Sequence, residues 1–361
     1  MREAIERGVF PGAVVLVAKG GRIVFAAAFG SRSLLRHRQP MELDNVFDLA
    51  SLTKPLATTT AIMLLVQQKR LSLDEPITRY LPCLEEGDKQ AITLRQVLAH
   101  CSGLPAWRPY YQDVLEMEER EKKEFVATLA ARNYVYDRVR NEGLDSVPGT
   151  RGIYSDLGFI LLGEIVETVS GQRLDHFCQE VIFAPIKLQS TFFVALNDQQ
   201  KKSQKFVPTQ RCPWRGRVLC GEVDDDNAYV MEGVAGHAGL FSCVKDIHHF
   251  LLYLRDCYRG SGSFLDAAIV REFLCRDRAV EGWTYALGWD TPSAHNSSSG
   301  KYFSPSSVGH LGFTGTSVWW DLERDCYIVL LTNRIHPTRE NDKIRAFRPF
   351  IHDLIMERLA Q

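Results

Sequence analysis

Phe47-Asp48-Leu49-Ala50-Ser51-Leu52-Thr53-Lys54-Pro55 places a hydroxyl and an amine three residues apart at the mouth of an apolar run. Side chains at that spacing share one face of a helix. Ala61-Ile62-Met63-Leu64-Leu65-Val66 is apolar all round, which predicts a helix buried in the middle of a domain. Pro55 belongs in its first turn, where the missing N–H is one the helix leaves unpaired, so it marks a start rather than a kink. Ser51 is then expected at the cap, beside free backbone N–H groups and the positive end of the helix dipole, with Lys54 one turn on to share its proton. The pair reads as an activated nucleophile. The alternative is a capping serine followed by a surface lysine, and a lysine that opens a buried helix is badly placed for the surface.

The 361 residues exceed what one core usually organises. Two lobes are expected: a discontinuous sheet lobe from 1–80 and 220–361, and a mainly helical lobe with loops from 81–219. Hydrophobic residues at 45% and charged ones at 24% describe an ordinary globular chain. With 43 basic and 44 acidic residues the net charge is -1, and no long basic run points to nucleic acid or anionic membrane as a partner. The apolar runs fall short of a membrane span, and Met1 to Phe10 is charged rather than signal-like. As given the chain reads as cytoplasmic, or as periplasmic if a leader preceded it. Nine scattered cysteines without a C-x-x-C pair read as reduced thiols rather than a disulfide framework or zinc site. No metal and no cofactor is expected.

Pro11 to Ala18 and Arg22 to Phe29 are β-rich runs around Lys19-Gly20-Gly21, a predicted hairpin. The middle of the chain reads as helix and loop: Ile92 to His100 after a Thr93 cap, a charged amphipathic helix from Glu116 to Asn133, and an apolar helix from Leu157 to Ser170 closed by Gly171. Tyr154-Ser155-Asp156 lies on the turn before the last of these. Residues 197–227 read as a solvated polar loop that carries Asp224-Asp225-Asp226, whose adjacent carboxylates lack the alternating spacing of a calcium loop. Gly233 to Gly239 reads as a glycine-rich turn, with Ser242 capping a helix from Lys245 to Tyr258. His237 and His248-His249 are expected to be structural. Tyr285 to Asp290, Ser317 to Leu322 and Tyr327 to Thr332 read as strands, and Ile344 to Leu359 as a terminal helix. Strands at both ends with helices between them predict an α/β chain of the α+β type, its sheet completed by distant segments.

Three separated pieces invite one active site: Ser51 with Lys54, Tyr154 with Asp156, and Gly309-His310-Leu311-Gly312-Phe313-Thr314-Gly315-Thr316 before a strand. In this order and at these intervals they resemble the serine β-lactamase and penicillin-binding protein superfamily, in particular the class C-like branch that includes esterases and D-amino-acid peptidases. Gly8-Val9-Phe10-Pro11-Gly12-Ala13, the stretch Ile92 to His100 and Gly233 to Ser242 extend the resemblance over nearly the whole chain. It implies a β-lactamase/transpeptidase-like fold, an antiparallel sheet of five or more strands flanked by helices, with an all-helical lobe and the site between them. It implies Ser51 as the acylated nucleophile, Lys54 as its proton partner and Tyr154 as general base and later acid. His310 would stand in for the family's usual lysine, and the N–H groups of Ser51 and Phe313 would form the oxyanion hole, with Gly312 allowing close approach.

Two positions depart from that pattern. Asp156 replaces the usual asparagine, and Leu311 replaces the usual hydroxyl residue of the third motif. An ionised Asp156 only accepts hydrogen bonds, Leu311 offers none, and His310 is largely neutral near pH 7 in an ordinary environment. These departures predict short uncharged carboxylic esters as better substrates than penicillins or cephalosporins, with a substrate bearing a free amine near Asp156 as the alternative. No G-x-S-x-G elbow, H-E-x-x-H or phosphate-binding glycine loop competes. The expected function is a serine hydrolase acting through an acyl-enzyme on small esters, β-lactams or amides. A D-amino-acid peptidase and a non-catalytic penicillin-binding sensor are the alternatives.

Overall fold

A computed structural model describes residues 1–35, 38–84, 87–196 and 204–360. The strand Gly12–Lys19 lies inside a six-stranded antiparallel sheet, between Arg22–Ser33 on one side and Cys326–Thr332 on the other. Ser317–Asp321 and then Val308–Leu311 continue the sheet beyond Cys326–Thr332, and the short Gln39–Pro40 closes the opposite edge. Val15 faces Leu330 on one neighbour and Ala27 on the other. The first strand is apolar throughout because both its faces are covered. Val14, Leu16 and Ala18 enter the core shared with the central helices, whereas Ala13, Val15 and Val17 pack under the terminal helix Ile344–Ala360 and the N-terminal turn Arg2–Glu6. This is the antiparallel sheet flanked by helices that the sequence predicts.

The Ser51 segment departs from a simple helix start. Ala50–Leu52 is a single 3-10 turn, Lys54–Thr59 is wound as a π-helix, and the α-helix proper runs Thr60–Gln67. Ser51 makes no capping hydrogen bond; Lys54 and Pro55 open the helix buried on all sides. The charged helix expected over 116–133 is two helices, Tyr110–Glu121 and Leu129–Arg140, parted where Lys122 takes a left-handed conformation at φ +49°. Cys243, not Ser242, occupies the cap of helix Val244–Arg259, because Ser242 pairs with Phe47 in a short strand. Tyr285 to Asp290 forms only isolated bridges, one of them to Gly309. The terminal helix and the Thr93 cap stand where the sequence places them, and Gln96 completes the cap by accepting from Thr93 N–H.

The segment around Asp224 is not a solvated loop. Asp224 and Asp226 are buried, Asp225 caps the helix Asp226–Val230, and Arg215 and Arg339 reach in to neutralise the group. Charges with fixed partners can be folded inside, which polarity alone does not reveal. Residues 197–203 of that expected loop lie outside the described residues. All nine cysteines are free thiols, and no cluster of metal-ligating residues occurs among the described residues. No described helix is long and apolar enough to cross a membrane.

Candidate active site

Ser51, Lys54, Tyr154 and Asp156 meet on the wall of a cavity of about 560 Å³ that is also lined by His310, Gly312 and Phe313. Lys54 Nζ donates to Ser51 Oγ at 3.0 Å, to Asp156 Oδ1 at 2.6 Å and to the His237 carbonyl at 3.3 Å. Three acceptors satisfy the three protons of an ammonium whose side chain is fully buried. The His237 carbonyl arrives on the Gly233–Gly239 turn, which presses against the helix Asp156–Ser170. A Cβ at Gly236 would lie 2.0 Å from the Phe159 carbonyl, so only glycine fits there.

Tyr154 stands against both groups: Lys54 Nζ lies 4.9 Å from the centre of its ring, and Ser51 and Lys54 both act to lower its pKa. The turn that carries it is braced by His100, whose carbonyl accepts from Ile153 N–H and whose Nδ1 accepts from Ser155 N–H at 3.0 Å. Its ring packs on the rings of His100, Tyr285 and His310. Burial works against the Lys54 ammonium, but Asp156 and Tyr154 outweigh it and hold its pKa above the ordinary lysine value. Burial raises Tyr154 as well, Lys54 opposing and Asp156 adding to the rise. Both groups are therefore protonated at rest, and the pair can take up a proton only after losing one.

This assigns a direction to the first departure. Asp156 raises both members of the pair, so Asp156→Asn should move the acid limb of kcat/KM to lower pH. A limb displaced by about one pH unit raises the reactive fraction at pH 7 about tenfold. The pH profile of ester hydrolysis measures it. An unmoved limb in the variant would separate Asp156 from the proton transfer.

His310 sits in the strand Val308–Leu311, where the sequence suggests only a loop before a strand. Burial, with Lys54 adding, pushes it down to about 3, so it is a neutral imidazole and not a substitute cation. Its Nδ1 donates to the Leu311 carbonyl at 2.9 Å, which leaves Nε2 an acceptor, buried and unpartnered. Gly312 packs so tightly on the Ser51 turn that a Cβ would lie 2.6 Å from the Leu49 carbonyl. Thr314 and Thr316 donate to the carbonyls of Asp48 and Leu49, tying this loop to the Ser51 turn.

Other pocket residues carry no motif in the sequence. Arg334, Arg345 and Arg348 line the cavity beside Phe313, and none has a carboxylate in ion-pair range among the described residues. Arg348 spends two N–H groups on the Gly312 and Thr316 carbonyls while its Nε stays buried and unpaired, and burial with Arg334 lowers it to about 9. Asp156 gives Oδ1 to Lys54 while its side chain, 19% exposed, lines the cavity, so its charge is shared with the buried ammonium.

A serine in contact with a buried lysine that a tyrosine ring covers, set between an antiparallel sheet and helices, fits a serine hydrolase. A family model described as Beta-lactamase matches residues 1–349, and the chain belongs to that family. It is 34% identical to an N-acetylmuramyl-L-alanine amidase of Bacillus subtilis (strain 168), over 92% of this chain and 80% of that protein. It is 29% identical to a putative D-alanyl-D-alanine carboxypeptidase of Salmonella schwarzengrund (strain CVM19633), over 95% and 83%. Among solved structures, the octameric penicillin-binding protein homologue from Pyrococcus abyssi superposes with a TM-score of 0.75 at 20% identity, over 98% of this chain and 75% of that one.

Proposed function

We propose that the protein cleaves small amides or esters through an acyl-enzyme on Ser51. The observation that carries this is the contact of Ser51 Oγ with a fully buried, triply satisfied Lys54 at the cavity wall. Ser51 Oγ attacks the substrate carbonyl carbon and its proton passes to the deprotonated Lys54–Tyr154 pair. The oxyanion is held by the N–H groups of Ser51 and Phe313. Collapse breaks the bond to the leaving group, which takes the proton from the pair. Water then repeats the sequence to free Ser51 and the acid. A fluorophosphonate probe tests the reading: it should label Ser51, and an unlabelled protein would point to a non-catalytic scaffold.

The cavity also carries aspartates, but Asp156, Asp224, Asp225 and Asp226 are engaged by Lys54, Arg339, His237 and Arg215. The arginines without carboxylate partners among the described residues therefore support substrates with an anionic group over the uncharged esters that the motif departures suggest. His310 is neutral, but the three guanidiniums beside Phe313 supply the cation that the third motif lacks. An anionic substrate also suits the D-alanyl-D-alanine in the name of the Salmonella relative, which ends in a carboxylate. The comparison is kcat/KM for 4-nitrophenyl butyrate against mono-4-nitrophenyl succinate, together with a D-alanyl-D-alanine peptide. The anionic ester should be hydrolysed faster, and Arg345→Ala should remove about tenfold of its kcat/KM while sparing the neutral ester. Equal rates for the two esters would return the neutral ester to first place.

A further inference from the structure

Asp48 is a buried carboxylate, 2% exposed, that the acyl-transfer scheme leaves without a task. Its Oδ1 accepts from Ala50 N–H at 2.8 Å and its Oδ2 from Asp224 N–H at 2.7 Å. Ala50, directly before Ser51, is held at φ +48°, a left-handed conformation that a residue with a Cβ avoids unless its surroundings impose it. The bond from Ala50 N–H to Asp48 is one such constraint. The other bond reaches a segment that supports Lys54. Asp225, next after Asp224, contacts His237 Nε2 at 2.9 Å, and the His237 carbonyl accepts from Lys54. One carboxylate thus joins the turn that presents the nucleophile to the segment behind its lysine.

The charged groups that face Asp48 are Asp224 and Asp225, themselves engaged by Arg339 and His237. The paired strand Leu240–Ser242 and the Thr314 turn bring no titratable group to it, and no cation forms an ion pair with it among the described residues. Burial, with Asp224 adding, raises it to about 7 against the pull of the two N–H donors. A carboxylate kept ionised in such a place is costly to the fold, and strain of this kind collects at functional sites.

We infer that Asp48 is a positioning residue for acyl transfer: its ionised carboxylate holds the strained turn that presents Ser51 and locks that turn to the 224–226 segment behind Lys54. This rests on Ser51 being the nucleophile. When Asp48 is protonated, one of its oxygens becomes a donor and a poorer acceptor for the N–H it faces, so the turn loosens. Above about pH 7 the wild-type kcat/KM should rise with a logarithmic slope of one, as the Lys54–Tyr154 pair loses its proton. Below pH 7 the protonation of Asp48 should steepen that slope to two.

The experiment is the kcat/KM profile for 4-nitrophenyl acetate between pH 5 and 9, for the wild type and Asp48→Asn. The variant should lose about tenfold at pH 8 and keep a slope of one throughout. Its Tm should improve relative to wild type from pH 5 to pH 8. The sign follows because the raised pKa means that the native wild type binds a proton more tightly than the unfolded chain, so wild-type stability falls as pH rises from about 4 to about 7. A purely structural Asp48 would leave the slope unchanged. A folded variant with wild-type kcat/KM and a slope of two would overturn the inference. If the variant does not fold, the rate of fluorophosphonate labelling of wild-type Ser51 provides the same slopes, and a slope of one down to pH 5 overturns it. Failure of the nucleophile assignment is read separately, as turnover that survives in Ser51→Ala.

Discussion

Ser51→Ala should give a folded protein that neither hydrolyses 4-nitrophenyl acetate nor takes up a fluorophosphonate, with kcat/KM down by at least about three powers of ten. The fold should survive because Ser51 caps nothing. Its side-chain hydrogen bond is to the Lys54 ammonium. Lys54 keeps Asp156 and the His237 carbonyl in the variant, so the buried charge stays paired and the loss is about 1 kcal/mol, that of one hydrogen bond. Turnover by the alanine variant at the wild-type rate, with circular dichroism showing it folded, would take Ser51 out of the mechanism.

Tyr154→Phe should lower kcat by about two to four powers of ten, the usual worth of a positioned acid–base group. Tyr154 lies beside both Ser51 and Lys54, so under the proposed scheme it can share the serine proton with the lysine. The phenylalanine variant keeps the ring contacts with His100, Tyr285 and His310, which limits the damage to packing. Single-turnover kinetics should place the loss in acylation. If most of kcat remains while chemistry is rate-limiting, Lys54 acts alone and the tyrosine only packs.

Sequence periodicity and motif order were enough for the sheet built from both ends of the chain, the buried Ser51 helix and the Ser51–Lys54 pair. These depend on local spacing and on apolar faces that must be covered. A lysine at the start of an apolar helix already announced a buried charge, and the partner that makes it tolerable, Asp156, stood in a neighbouring motif. His100 ended a stretch that the resemblance had picked out, but its bracing of the tyrosine turn depends on its own left-handed conformation at φ +56°.

What only the tertiary structure decided is electrostatic. The acidic run at 224–226 is a solvated loop by composition, and it is buried because Arg215 from the same segment and Arg339 from far along the chain neutralise it. His310 could have been the site's cation. Its depth and the nearby Lys54 ammonium make it neutral, while Arg334, Arg345 and Arg348, which belong to no motif, bring positive charge to the cavity. Asp48 reads in the sequence as one polar residue of a nucleophile motif, whereas in the fold its two oxygens accept from N–H groups far apart in the chain, those of Ala50 and Asp224. A sequence states which residues can carry charge, but burial and the neighbours brought by folding fix which of them do, because the energy of a charge depends on its surroundings far more than on its position in the chain.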